Sequence, residues 1–137
     1  YQKDFLMNKP YLKKIIAQSP EDLQIISACC SESRVKISQI KYLPKSKIFL
    51  LSIKRIEKEN ENNKSINSII RFEYVESSRS KNINQIDPNI EMQLISIDFF
   101  KKEHNFEITL LFSNNRFITL VVETIEAILE DQKVLND

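Results

Sequence analysis

The chain has 137 residues, which suits one domain with a single core, and 42% of them are hydrophobic, too many for a disordered protein. Glycine is absent, which excludes a glycine-rich phosphate loop, and the net charge of +1 argues against a chain that is basic throughout. No apolar run approaches the roughly 20 residues that span a bilayer, and the N-terminal stretch lacks the apolar middle of a secretory signal. We therefore expect a cytoplasmic protein with one domain over residues 1–137 and a flexible tail at residues 1–10.

The first predicted element is a helix that starts after Ser19. The Ser19 hydroxyl can cap its N-terminus, and Pro20 suits the first helical position. Leu23, Ile26 and Cys30 then recur at the spacing of one helical face, so we expect this stripe to be buried.

Two alternating runs follow the helix, RVKISQIKY and IFLLSIKRI, and Pro44 breaks the chain between them. The first run changes phase near Ser38–Gln39, which indicates a bulge or a bend. In the second run every other residue from Phe49 to Ile53 is large and apolar. The two runs predict an antiparallel hairpin.

The middle of the chain predicts two strands separated by loops. A charged, Asn-rich stretch at residues 57–67 indicates a flexible loop, and the alternating stretch at residues 68–76 predicts a half-buried strand. A second loop is expected at residues 77–89. The strand that follows, at residues 91–100, changes phase near Leu94–Ile95, so a second bend is expected there.

The last stretch predicts a hairpin and then a helix. Two alternating strands flank Asn114–Asn115, which we expect to supply the positive φ angles of the turn in place of glycine. After Glu123 the apolar period changes from two to nearly four. Ile125, Ile128 and Leu129 then line one side of a predicted C-terminal helix, with Thr124 as its cap.

These elements predict an α+β fold that is mainly β, with an N-terminal helix, about six strands and a C-terminal amphipathic helix. There is no strand–helix–strand alternation, which argues against a parallel sheet. The best fit is a curved antiparallel sheet or a small open barrel whose end is plugged by the terminal helix. This layout is similar to the pleckstrin-homology-like barrel.

The order of residues also resembles a family of uncharacterised alphaproteobacterial proteins, the domain-of-unknown-function family numbered 2948. The resemblance is carried by residues 21–55, with their Glu-Asp-Leu helix start and Tyr-Leu-Pro-Lys turn, and by the closing residues 116–131. The chain departs from the family where Asn114 and Asn115 replace glycines and where Thr124 replaces a frequent Cys. The resemblance implies no activity.

No catalytic, metal or cofactor site is predicted, and we expect a protein that is not an enzyme. Cys29 and Cys30 are neighbours without a disulfide framework, and buried free thiols are the expected state. The single histidine, His104, lies in a predicted hairpin tip and could activate a thiol only if the fold brought the two together. Asp98 lies inside an apolar strand and could pair with Glu91, but an outward-facing carboxylate is the expected role.

The charge is distributed unevenly along the chain. Residues 1–56 contain eleven Lys or Arg and four Asp or Glu, whereas residues 57–137 contain nine and fifteen. A possible anion-binding patch on the first hairpin consists of Lys36, Lys41, Lys45 and Lys47.

Three hypotheses for function remain open. The first is a non-enzymatic binding or structural module that acts through an unknown protein partner or through self-association. The alternative is a binder of anionic surfaces, nucleic acid or lipid head groups, through the basic hairpin, although nucleic acid is not favoured because no aromatic residue is interleaved with the lysines. The third is a small hydrolase-type enzyme that uses a carboxylate or a cysteine.

Overall fold

The computed structural model describes residues 12–56 and 64–132, which form one helix, one 3-10 turn and ten strands. The elements in chain order are β1 (Lys14–Ala17), α1 (Pro20–Cys30), β2 (Arg34–Lys36), the 3-10 turn (Ile37–Gln39), β3 (Ile40–Leu43), β4 (Ile48–Ile56), β5 (Ser65–Phe72), β6 (Val75–Lys81), β7 (Glu91–Lys101), β8 (Phe106–Phe112), β9 (Arg116–Val122) and β10 (Ala127–Asp131). No helix among these residues is long and apolar enough to cross a membrane.

The strands form one large antiparallel sheet that is not closed into a barrel. The strand order is β1-β10-β5-β4-β2-β7-β8-β9-β6, and β3 adds to β4 beside β2. Although β3 and β6 are far apart in this order, the Tyr42 hydroxyl on β3 donates a hydrogen bond to the Val75 carbonyl on β6. The sheet therefore curls until these two strands approach each other, which confirms the predicted antiparallel, mainly β architecture.

Helix α1 forms as the sequence predicts. The Ser19 side chain accepts a hydrogen bond from the Asp22 amide, and Pro20 is the first helical residue. Leu23, Ile26 and Cys30 are buried, and the helix packs mainly on β7 and β1. The apolar stripe of the helix therefore packs against the concave face of the sheet.

The core is built from the alternate residues of the long strands, because successive side chains of a strand point to opposite faces. Phe49, Leu51 and Ile53 of β4 are buried, as predicted. Phe49 also contacts Phe72 of β5, with ring centroids 6.2 Å apart in a tilted arrangement.

Both predicted bends are present. The 3-10 turn at Ile37–Gln39 separates β2 from β3, where the apolar phase of the sequence changes. A register shift between Leu94 and Ser96 interrupts the pairing of β7 with β8. As a result Leu94 and Ile97, which are three residues apart, are both buried.

The predicted C-terminal helix is wrong, because Ala127–Asp131 is the strand β10. It lies between β1 and β5 and pairs with both, so its backbone groups find partners on two sides. Ala127, Leu129 and Asp131 are buried while Ile128 is only half-buried, which is a period of two. The pleckstrin-homology-like layout is not confirmed either, because that layout needs the terminal helix.

Other boundaries differ from the prediction. The strand expected at residues 68–76 is divided, because Tyr74 has a φ of 57° and β6 starts at Val75 after a sharp turn. β6 occupies part of the loop expected at residues 77–89, and β5 begins at Ser65 inside the loop expected at residues 57–67. The remainder of that loop, at residues 57–63, and the tail at residues 1–10 lie outside the described residues.

Asparagine occupies three of the six described positions with positive φ, including both residues of the predicted turn, and Glu32, Lys47 and Tyr74 occupy the others. Asn82, Asn114 and Asn115 have φ angles of 58–63°. Asparagine tolerates this left-handed region better than other residues with a β-carbon.

Candidate functional site

A cleft of about 330 Å³ lies between β3 and β6. In the described part of the chain β3 pairs only with β4, and β6 pairs only with β9. Each strand therefore has one edge without a strand partner, and side chains of both strands line the cleft. The cleft occupies the position at which a further strand would close the curled sheet.

One end of the cleft is held shut by hydrogen bonds. The Tyr42 hydroxyl lies 3.2 Å from the Val75 carbonyl oxygen to which it donates. The Val75 amide donates to the Lys47 carbonyl at 2.9 Å. These two bonds join the start of β6 to β3 and to the turn that follows it, so the cleft is a wedge that opens toward the end of β6.

The other end is bordered by the connection between β6 and β7. The Ser38 amide donates to the Pro88 carbonyl at 2.9 Å, and the Ile37 amide donates to the Ile90 carbonyl at 3.1 Å. The connection is therefore fixed to the 3-10 turn, and it contributes Ile83 to the lining. Both ends of the cleft are thus defined by backbone hydrogen bonds.

The lining combines an apolar floor with neutral polar groups. Phe49 and Ile118, both buried, belong to the floor. The polar side chains on the lining are Ser38, Tyr42, Ser78, Ser80 and Gln85. Within residues 12–56 and 64–132, no lining side chain carries a carboxylate, imidazole, thiol, amine or guanidinium group. The cleft therefore suits an uncharged group with an apolar body and hydrogen-bonding capacity.

Ser78 and Ser80 occupy core-side positions of β6. Their cross-strand partners on β9 are Leu120 and Ile118, which are both buried. Residues directly opposite each other on antiparallel strands point to the same face of the sheet. An apolar side chain is the usual occupant of such a position, so the two serines make the inner face of this edge strand polar where it borders the cleft.

A buried ion pair lies at the end of the sheet beside β10. The Arg55 guanidinium on β4 donates two hydrogen bonds to the Asp131 carboxylate, from Nε at 2.9 Å and from a terminal nitrogen at 2.5 Å. The Ser68 hydroxyl donates to the same carboxylate at 2.6 Å, and the Lys13 amide donates to it at 2.8 Å. The side chains of Arg55 and Asp131 are 2% and 0% exposed.

Burial and hydrogen bonding act on this pair in opposite directions. Burial raises the pKa of Asp131, but the hydrogen bonds from Arg55, Ser68 and the Lys13 amide lower it by more, so that the pKa lies below its ordinary 3.8. The hydrogen bond to Asp131 raises the pKa of Arg55 despite burial. Both groups are therefore charged in the folded protein. We assign this pair a structural role, because it joins β4, β5, β10 and the segment before β1.

The structure does not bring the cysteines and the histidine together. Cys30 is buried and Cys29 is partly buried at the C-terminal end of α1. This end of the helix meets β7 at Leu94, where the Glu32 amide donates to the Leu94 carbonyl. His104 lies beyond the other end of β7, and seven residues of strand correspond to roughly 23 Å.

The carboxylates considered for catalysis are also separated. Asp98 is exposed on β7 opposite Thr109, and it accepts a hydrogen bond from the Ser96 hydroxyl at 3.2 Å. Glu91 lies at the other end of the same strand and is 3.8 Å from Arg34. Within residues 12–56 and 64–132, no three metal-ligating side chains come together.

The four lysines of the predicted anion-binding patch are distributed over three elements. Lys36 ends β2, Lys41 is exposed on β3, and Lys45 and Lys47 lie in the turn before β4. Lys47 forms an ion pair with Glu123 at 2.8 Å, and this hydrogen bond and the charge of Glu123 raise the pKa of Lys47. Anion binding by these four lysines stays a prediction.

Comparisons with known proteins give a family and a distant structural neighbour. The model of a family described as "Protein of unknown function (DUF2948)" matches residues 13–135. The crystal structure of an uncharacterized protein from Neisseria gonorrhoeae has a TM-score of 0.47 and 13% identity, over 86% of this chain and 97% of that one. No curated protein matches the chain.

Proposed function

The chain belongs to the DUF2948 family of proteins of unknown function, and we propose that it is a non-enzymatic binding module that holds an extended segment of a partner protein in the cleft between β3 and β6. The family match confirms the resemblance noted from the sequence, whereas the alphaproteobacterial origin stays a prediction. The observation that carries the proposal is the cleft itself, a gap in a curled sheet that is bordered by two strands with unpaired edges.

An unpaired strand edge offers backbone donors and acceptors to an incoming extended chain. β6 has seven residues along such an edge, of which Val75 is already bonded to Tyr42 and Lys47, and β3 has four along the opposite border of the cleft. A segment that adds to β6 would use these backbone groups for affinity, and its alternate side chains would enter the cleft.

The lining predicts which side chains the segment carries. A charged group buried in a cleft without an opposite charge loses its hydration and gains no partner. Uncharged side chains with an apolar body fit over Phe49 and Ile118, while Ser, Thr, Asn or Gln can bond to Ser78 and Ser80. The preferred segment is therefore uncharged at the positions that face inward.

The chemistry of the lining supports binding rather than catalysis. General acid–base catalysis needs a group that titrates near the working pH and lies within hydrogen-bond reach of the substrate. Among the described lining residues the ionisable group is the Tyr42 phenol, and its hydroxyl already donates a hydrogen bond to the Val75 carbonyl.

A different protein suits the cleft better than a second copy. In a two-fold pairing of β6 with itself centred on Ser80, Arg79 of one copy would lie opposite Lys81 of the other. Like charges placed opposite each other destabilise strand pairing. The unequal charge of the two halves of the chain is still compatible with self-association elsewhere, and the mass in solution would detect it.

We expect Ser78→Trp to remove peptide binding by filling the cleft. Random peptides displayed on phage would be selected on the native protein, and the affinity of the enriched peptides would then be measured by fluorescence polarisation. The expected loss on Ser78→Trp is at least about tenfold, which corresponds to about 1.4 kcal/mol. The enriched sequences should be extended and uncharged at alternate positions.

Ser77→Trp is the matched control, because Ser77 is the preceding residue of the same strand and points to the opposite face. Peptide affinity should be unchanged in this variant. The proposal fails if selection yields no peptide that binds the folded protein, or if the two variants weaken binding equally.

A further inference from the structure

A second concavity, of about 470 Å³, lies on the outer face of the sheet where β2, β4 and β5 meet. Among the described residues its lining includes three cationic side chains, Arg34, Lys36 and Lys54, and one carboxylate, that of Glu91. Strand alternation explains why these cations face outward, because the neighbouring Val35, Ile53 and Arg55 are buried on the inner face. No described residue lines both this basic site and the cleft, although Ile37 and Ser38 of the cleft lie in the chain between Lys36 and Gln39 of the basic site.

The strand register places two of the cations directly opposite each other. Arg34 on β2 and Lys54 on β4 are Cα partners. Like charges in this position destabilise a sheet, so folding alone does not favour the arrangement. A ligand with negative charge would remove the repulsion and gain from both cations.

The Glu91 carboxylate does not neutralise the cluster. Glu91 lies 3.8 Å from Arg34, and the two side chains are 45% and 67% exposed. An exposed ion pair at this distance contributes little. Within the described residues, neither Lys36 nor Lys54 forms an ion pair.

Neutral donors complete the surroundings of the cations. Asn67 is the cross-strand partner of Lys54 on β5, and Gln39 contributes a second amide to the lining. The Gln132 amide donates to the Asn67 carbonyl at 2.8 Å, which fixes the backbone at this side of the concavity. Cations and amide donors around one concave space form a suitable environment for a phosphate group, which offers only acceptor oxygens when fully ionised.

We propose that the concavity formed by Arg34, Lys36 and Lys54 binds the phosphate group of a small phosphorylated molecule or a lipid headgroup. The Arg34 guanidinium can bond two phosphate oxygens with its planar fork, and the two ammonium groups add charge from either side. The site differs from the predicted patch on the first hairpin, since Lys36 is the one lysine that the two have in common. It is also independent of the binding cleft.

Pyrophosphate is the probe for this site, titrated into the full chain at low salt while backbone amide resonances are followed by two-dimensional NMR. We expect saturable shifts at Arg34, Lys36, Lys54 and Asn67. Lys54→Gln should raise the dissociation constant about tenfold, because a charge-assisted hydrogen bond is lost. Lys41→Gln also removes one positive charge, but from a residue outside the concavity. It should leave the dissociation constant within about twofold of the value for the unchanged protein.

A second arm of the experiment distinguishes a lipid headgroup from a soluble phosphate. Co-sedimentation with phosphatidylcholine vesicles that contain phosphatidic acid, lost in Lys54→Gln, would assign the site to a lipid headgroup. Pyrophosphate binding without vesicle binding would assign it to a soluble phosphorylated molecule. No saturable shift at millimolar pyrophosphate, or equal weakening by Lys41→Gln and Lys54→Gln, would overturn the proposal. Peptide binding to the cleft is unaffected in either case, since Ser78 is not part of this concavity.

Discussion

Replacing Asp131 with alanine is expected to lower the free energy of unfolding by about 3–5 kcal/mol, because it leaves a buried guanidinium without its counter-ion. Arg55 is 2% exposed at its side chain, and both of its hydrogen bonds to Asp131 would be lost. The Ser68 hydroxyl and the Lys13 amide would lose the same acceptor. Urea denaturation followed by far-ultraviolet circular dichroism measures the change.

Asp98→Asn is the control for this variant, because Asp98 is an exposed carboxylate on a strand. It should change the free energy of unfolding by less than about 0.5 kcal/mol.

The ion pair also predicts a pH dependence of stability. Since the pKa of Asp131 is lowered in the folded state, the stabilisation from Asp131 is present above the unfolded pKa and is lost as the pH falls through the folded value, below about pH 4. A loss in Asp131→Ala no larger than that in Asp98→Asn would show that the ion pair is not buried as described.

The second large effect is expected from Leu129→Ala, with a loss of about 2–5 kcal/mol. Leu129 is fully buried in β10, between Ile15 on β1 and Ile70 on β5. The truncation removes apolar contacts in the core and leaves a cavity that the neighbouring strands can only partly close. Thermal or urea denaturation of the variant provides the measurement.

Ile128→Ala is the matched comparison, because it is the adjacent residue and lies on the outer face of the sheet, where it is only half-buried. Its expected cost is at most about 1 kcal/mol. In a C-terminal helix, Ile128 and Leu129 would both lie on the buried stripe and their truncations would have similar effects. Equal losses in the two variants would therefore contradict the assignment of β10 as a strand.

The sequence predicted correctly those elements whose apolar residues fit the period of a strand or of a helix, but not both. Alternation over residues 106–122 fits a strand and no helix, and β8 and β9 form there. The phase changes near Ser38 and Leu94 could be interpreted because a strand cannot bury adjacent positions without a bend, and both bends exist. These features depend on neighbours in sequence, which is why the sequence alone was sufficient.

β10 could not be predicted in the same way, because its short apolar pattern fits both periods. Ile125, Ile128 and Leu129 suggest a helix, while Ile125, Ala127 and Leu129 suggest a strand. The choice is made by partners that are distant in sequence, β1 and β5, and by the Asp131 carboxylate that reaches Arg55. Tertiary pairing of this kind overrides local periodicity.

The two proposed sites depend on register, which the sequence does not reveal. Ser78 and Ser80 resemble loop residues, and only their pairing with β9 shows that they face the core side beside a cleft. Arg34 and Lys54 are twenty residues apart, and their opposition follows from the single pair that joins β2 to β4.

Hydrogen exchange of the β6 backbone, measured with and without a selected peptide, tests directly whether an added strand fills the cleft. The free edge of β6 borders the cleft, so amides of residues 76–81 that face this edge should exchange rapidly in the free protein, whereas the Val75 amide is bonded to the Lys47 carbonyl. On peptide binding these amides should become strongly protected, while β1 at the other end of the sheet should not change. Protection that appears elsewhere and leaves β6 unchanged would contradict peptide binding at this strand edge.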